Sequence, residues 1–362
     1  MKIGIVGLPY VGKTSIFNAL TQSGAETGTY TGKKQSNISA VTVPDERLNS
    51  LAELFNPKQI TPVRIDYVDV AGFSKGEIER NGLGTEVIAD LRQADALAHI
   101  VRVFEDDSVP HTDGNVDPKR DIETLDLELT LADLHIIDKR LERLNRELRA
   151  KKSPVLENEH SVLEQCKAEL ESGIPLREID ITPEKKQMIR GYGFLTQKPI
   201  LVILNIGENQ LDEAEQIHGR FAEYGDKTQT EFTTISAKLE MEIAQLEAED
   251  ARIFLAEMGL EESALNRVIQ ASYRLLGLIT FFTVVSKDLR AWTLRQGHTA
   301  VDAAATIHTD MARGFIRAET IHWKKLVHGG NMAKAKALGL LRLEGRDYVV
   351  QDGEVLTIRF NV

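Results

Sequence analysis

A glycine, four free residues and then Gly-Lys-Thr is a spacing that can grip a polyphosphate, and it runs here from Gly7 through Pro9, Tyr10, Val11 and Gly12 to Lys13 and Thr14. Backbone N–H groups of such a loop converge on one anion. Lys13 would reach the β- and γ-phosphates and the Thr14 hydroxyl would ligate Mg²⁺, while Gly7 and Gly12 permit backbone angles and close approach that a Cβ would block. Ser15 opens the helix that follows, whose positive end adds to the anion site.

Three further groups belong to the same chemistry. Asp69 ends an apolar run and would hold Mg²⁺ through water, with the N–H of Gly72 placed to sense the γ-phosphate. The Mg²⁺-closing threonine of the first mobile loop is expected at Thr31, with Thr27 and Thr29 competing. At the position where Ras-like enzymes carry a water-orienting glutamine stands Phe73, which can neither donate nor accept a hydrogen bond. His111, in a polar loop containing Pro110 and Gly114, is a candidate to position or activate water in its place; the bland alternative is a surface histidine.

Base recognition falls to Asn205, Ile206, Gly207 and Glu208, with Ser236 and Ala237 beside them. A guanine reader of the Asn-Lys-x-Asp type accepts two hydrogen bonds on its aspartate. Here the lysine is Ile206 and the acid is one methylene longer, so a bidentate charge-assisted contact is lost. Asn205 is expected to pair with adenine, and ATP is the expected substrate.

These groups require strands to deliver them. Lys2 to Val6, Arg64 to Val70, Ala96 to Phe104, Pro199 to Leu204 and Phe232 to Ile235 read as strands whose carboxyl ends carry the candidate residues, which is a doubly wound α/β domain. Leu125, Leu127, Leu129, Leu131, Leu134, Ile137, Leu141, Leu144 and Leu148 recur at mostly three- and four-residue steps. A second stripe at Val162, Leu163, Cys166 and Leu170 follows Ser153-Pro154, so the two form an inserted helical arm. The expected division is a nucleotide-binding domain over 1–278, opened by a helical insertion over 120–196, and a small mixed-sheet domain over 279–362. The arm carries Arg140, Arg143, Arg146, Arg149, Lys151 and Lys152, for which a solvated helix face is favoured over an RNA contact.

Of 362 residues 42% are hydrophobic, with no apolar run long enough to span a bilayer, so no membrane partner is expected. Cys166 is the only cysteine, which excludes an internal disulfide and points to a reducing cytoplasm, as does an N-terminus without a signal peptide. The net charge of −11 argues against a general nucleic-acid coat. From Thr280 to Val362, however, 12 Lys and Arg face 8 Asp and Glu, which leaves a local nucleic-acid or ribosome contact open at the C-terminal end.

The chain resembles the YchF group of Obg-related P-loop NTPases, the Obg-like ATPases, over nearly its whole length. The resemblance lies in Gly7 to Ser15, Val68 to Gly72 with Gly82-Leu83-Gly84, Val116-Asp117-Pro118, Arg120-Asp121-Ile122, Asn205 to Glu208 and Ser236-Ala237-Lys238. Phe281-Phe282-Thr283, Arg290-Ala291-Trp292, Ile307 to Asp310, Gly314 to Glu319 and Tyr348 to Gly353 look like the family's β-grasp TGS domain. That resemblance implies a ribosome-associated ATPase with a helical arm, in which the histidine matching His111 takes part in hydrolysis. Two departures stand out. Tyr10 replaces the usual asparagine, and Thr29 to Lys34 replaces the family's first-switch stretch, so Thr31 has no direct counterpart. A nucleotide-sensing adaptor with vestigial hydrolysis, and an Obg-class GTPase, are the alternative readings.

Overall fold

Ile3, Ile5 and Val6 leave the first strand no polar face, so it has to lie inside a sheet covered on both sides. In the computed structural model, which describes residues 1–21, 37–70, 86–221, 228–285 and 287–361, all three are buried. The strands are β1 (Lys2–Val6), β2 (Asn37–Thr42), β3 (Gln59–Thr61), β4 (Arg64–Asp69), β5 (Ala96–Arg102), β6 (Ile200–Asn205), β7 (Thr230–Ile235), β8 (Leu278–Val285), β9 (Asp288–Arg295), β10 (Phe315–His322), β11 (Arg342–Glu344) and β12 (Glu354–Phe360). The first helices in chain order are α1 (Lys13–Thr21), α2 (Glu46–Phe55), α3 (Glu86–Gln93), α4 (Pro118–Ala150) and α5 (Pro154–Glu171).

The chain forms two units, residues 1–41 with 66–275, and residues 42–65 with 276–362. The first contains a six-stranded sheet of order β2-β4-β1-β5-β6-β7, in which β4, β1, β5, β6 and β7 run parallel. From β1 the order goes outward to β4 on one side and to β5 on the other. A crevice therefore opens at the carboxyl end of β1, where ligands of such sheets bind. The register Ile5↔Asp69 brings the end of β4 beside the start of the phosphate loop.

Helix α4 is 33 residues long and serves two cores. Near its start Leu125, Leu129 and Ala132 pack with Val6, Leu97 and Leu195 of the nucleotide domain. Farther along, Ile137, Leu141 and Leu144 pack with Val162, Leu163, Cys166 and Leu170 of α5. The expected arm is present, and Asp133 fixes its root: this buried carboxylate accepts from the N–H groups of Leu195 and Thr196 at 3.0 and 2.8 Å. On the arm, Arg140 is paired with Glu159 at 2.8 Å and with Glu147 at 3.3 Å, as a solvated, paired face requires.

The second unit holds a mixed sheet of order β11-β10-β12-β8-β9-β3. An antiparallel hairpin, β8 with β9, is flanked by the parallel strand β12, and Ala300, Ala303 and Ala304 of the helix Ala300–Ile307 pack against Phe281, Leu294 and Leu356. Thr299 and Asp302 close a reciprocal cap at the start of that helix.

The boundary at 278/279 needs one correction, because it leaves residues 42–65 in the nucleotide domain. They belong to the second unit: β3 adds to β9 as an edge strand, and Arg47 of α2 binds Asp352 at 2.6 Å. The same Asp352 accepts the Thr280 N–H at 2.8 Å. Pairings at a separation of some hundreds of residues leave no periodic mark in a sequence, whereas the arm's leucine stripe does.

Candidate nucleotide-binding site

The loop from Gly7 to Gly12 closes over itself because three of its residues take positive φ: Gly7 at 151°, Tyr10 at 64° and Gly12 at 97°. A Cβ on Gly7 would collide with the Ile100 carbonyl oxygen, and one on Gly12 with the Asn205 carboxamide nitrogen. Glycine is thus required at both ends by contact as well as by angle. Tyr10 holds a left-handed conformation with its side chain exposed. That conformation suits asparagine better than a bulky residue, so the loop carries some strain at this point. Pro9 and Ser15 are half-buried in the loop and the first turn of α1, while the Val11 side chain faces the core.

The Lys13 ammonium, buried at the mouth of α1, donates to the carbonyls of Gly7 and Leu8 at 3.0 and 2.6 Å. Burial pushes its pKa down to about 8, partly offset by Asp69. Thr14 Oγ1 stands 3.4 Å from Asp69 Oδ2. Burial raises the Asp69 pKa against the opposing pull of Lys13 and the Thr14 hydroxyl. One dry cleft therefore weakens both charges, and a polyphosphate carrying a cation would restore each to its charged form.

On the far side, Asn205 donates from Nδ2 to the Val11 carbonyl at 2.9 Å and accepts the Ala237 N–H on Oδ1 at 3.0 Å. Its amide thus ties the phosphate loop to the turn after β7, using one of its two N–H donors. Ile206, at 3% exposure, packs with Val101, Ile122, Val202 and Leu204, so its side chain lies in the core. Glu208 is bound to Lys238 at 2.8 Å, which partly neutralises the acid a guanine reader would leave open. Ser236 is buried, and its hydroxyl has no hydrogen-bond partner among the described residues. An orphaned hydroxyl beside the Asn205–Ala237 contact fits a site meant to receive a base edge.

His111 is part of a knot at the start of α4. Its Nε2 is 3.0 Å from Asp121 Oδ2 and its Nδ1 accepts the Asp113 N–H at 3.2 Å, with the ring 4% exposed. It is therefore no free surface histidine. The preceding loop is gathered by Arg102, the last residue of β5, whose guanidinium donates to the carbonyls of Phe104, Asp106, Val109 and Pro110 at 3.1 to 3.2 Å. Arg102 belongs to no motif; the signal it leaves in the sequence is an arginine closing a strand that is apolar apart from His99. Thr31, with Thr27 and Thr29, and Gly72, with Phe73, lie outside the described residues.

A family model described as a 50S ribosome-binding GTPase matches residues 2–158. A second, for the C-terminal domain of YchF GTPases and described as a protein of unknown function (DUF933), matches residues 278–361. The ribosome-binding ATPase YchF of Bacillus subtilis is 44% identical over 363 residues, covering 99% of each chain. The chain belongs to the YchF family. The YchF ribosome-binding ATPase of Haemophilus ducreyi is 41% identical, covering 100% of this chain and 99% of its own. The solved structure of the Schizosaccharomyces pombe YchF GTPase superposes with a TM-score of 0.84 at 28% identity, over 99% of this chain and 97% of the other. This YchF-family chain thus shares both the P-loop NTPase fold and the C-terminal sheet domain with that structure. Among the described residues no helix is long and apolar enough to cross a membrane.

Proposed function

We propose that the chain binds ATP with Mg²⁺ at the Gly7–Thr14 loop, hydrolyses it, and works as a cytoplasmic, ribosome-associated switch. The observation that carries the reading is the convergence of Lys13, Thr14 and Asp69 at the carboxyl ends of β1 and β4. Thr14 Oγ1 and Asp69 Oδ2 are hard oxygen donors close enough to share one small cation, which fits Mg²⁺. When bound, that ion would neutralise charge on the β- and γ-phosphates. Lys13 would leave its two carbonyls for those phosphates, and the loop N–H groups would hold them in line. ATP is favoured over GTP because Glu208 is engaged by Lys238 and Ile206 is turned inward.

His111 supplies water positioning once its ring leaves Asp121. Ribosome association is favoured by the names of the relatives and of the matching family model. The C-terminal unit, which resembles a TGS module, is the surface offered to RNA, with the arm, whose Arg140 is already paired, the lesser one.

Mg²⁺-dependent single-turnover hydrolysis of ATP and GTP, with Lys13→Ala as control, tests the chemistry. Phosphate release from ATP that Lys13→Ala abolishes is the expected result; equal release from Lys13→Ala would place the activity elsewhere. Co-sedimentation with ribosomes, with and without ATP, tests the association. The restrained ring of His111 favours the adaptor reading, which predicts nucleotide-dependent sedimentation with negligible phosphate release.

A further inference from the structure

Both ring nitrogens of His111 are occupied. Because Nδ1 accepts the Asp113 N–H, the neutral ring carries its proton on Nε2, and Nε2 donates to Asp121. No lone pair is left open to a water proton. This is the reverse of a triad, in which the carboxylate holds one nitrogen and leaves the other facing the reaction.

Asp121 is built to hold that proton. It is 1% exposed, and its other oxygen accepts from Arg120 Nε and Nη2 at 3.2 and 3.0 Å. Arg120 is itself fixed by Asn115, through Oδ1 at 2.9 Å and the backbone carbonyl at 2.7 Å. Asp121 occupies the first turn of α4, where the helix dipole favours a carboxylate, and Leu125 and Leu129 anchor that helix in the core. Between His111 and Asn115 the chain is less packed: Thr112 and Gly114 are exposed, and Gly114 sits at φ 83° with open space where a Cβ would stand.

We propose that Asp121 is a positioning residue that latches His111 in a non-productive orientation, and that hydrolysis requires the Nε2–H···Asp121 contact to break while α4 stays in place. The proposal rests on the reading of His111 as the water-positioning group.

The test is single-turnover ATP hydrolysis at saturating Mg·ATP for wild type, Asp121→Ala, Asp121→Asn, His111→Ala and the His111→Ala/Asp121→Ala double variant. Releasing a charge-assisted hydrogen bond should speed Asp121→Ala by about tenfold. Asp121→Asn, whose amide oxygen still accepts, should gain less, and ATP affinity should hold in both. The gain should vanish in the double variant, which a merely structural role for Asp121 would not produce. An Asp121 variant slower than or equal to wild type, or a gain that survives without His111, overturns the latch. Wild-type turnover in His111→Ala alone would instead overturn the underlying role of the histidine, and the latch with it. Should Asp121→Ala not fold, Asp121→Asn carries the kinetic test beside ¹⁵N NMR of the wild-type ring, where an Nδ1–H tautomer would refute the proposal.

Discussion

Asn205 closes against Gly12 so tightly that no side chain fits between them: its carboxamide nitrogen stands 2.4 Å from where a Gly12 Cβ would be and donates to the next carbonyl back, that of Val11. Through the same amide the Ala237 N–H is held. Asn205→Ala strands a buried carbonyl and a buried N–H, each costing about 1 to 3 kcal/mol. Unfolding in denaturant should show a loss of about 2 kcal/mol or more, and ATP titration a loss of affinity. Asn205→Asp should fare no better, since a carboxylate cannot donate to Val11. Full stability and affinity in both variants would mean that the bridge does not shape the loop.

The lowered pKa of Lys13 gives nucleotide binding a pH signature. In the free protein the ammonium loses its proton above about 8, because burial disfavours the charge. Phosphate oxygens favour the charge, so the bound form keeps the proton to higher pH. Binding must therefore take up a proton above that value, and affinity should fall there by up to about tenfold per pH unit, while staying flat below about 7. Calorimetry in two buffers of different ionisation heat should register uptake approaching one proton at about pH 9, an uptake absent in Lys13→Met. No uptake in wild type would separate Lys13 from the phosphates.

What the sequence made legible follows from the range over which each signal acts. The phosphate loop, the strand ending in Asp69 and the leucine stripe of α4 are local patterns with a fixed period or spacing, and each stands where it was expected, apart from Leu127 of the stripe, which is 58% exposed. A motif tells which residues share a loop, not which way each side chain turns. In the structure Asn205 faces the scaffold and Ile206 the core. The place of residues 42–65 in the second unit was illegible, because it depends on Arg47 meeting Asp352 and on β3 finding β9.

Glu208 and Lys238 bear on the choice of base. Their ion pair is 2.8 Å long but Lys238 is 73% exposed, so water screens it strongly. Wild type should bind ATP more tightly than GTP in equilibrium titrations. Lys238→Met frees the acid to accept from guanine and should move the ratio toward GTP by no more than about fivefold. A tenfold preference of wild type for GTP would sink the base-reading argument altogether.

Arg102 separates holding the loop from holding the ring. Its guanidinium spends its donors on four carbonyls between Phe104 and Pro110, with its centre 4.5 Å from the centre of the Phe104 ring, and residue 111 follows directly. A lysine offers three donors from one point and cannot span that arc. Arg102→Lys should therefore raise hydrogen exchange across residues 104–110 and blur the position of His111. A misplacement of about 1 Å can cost about a hundredfold in rate, so single-turnover hydrolysis should fall by at least about tenfold. ATP affinity should stay within about twofold, since the hydrogen bonds of the guanidinium go to its own loop. The contrast with Asp121 is the decisive part: Asp121→Ala frees the ring alone and speeds the reaction, whereas Arg102→Lys frees the whole loop and slows it. If both variants slow hydrolysis and weaken ATP binding together, the two residues only maintain the fold, and water must be positioned by a group other than His111.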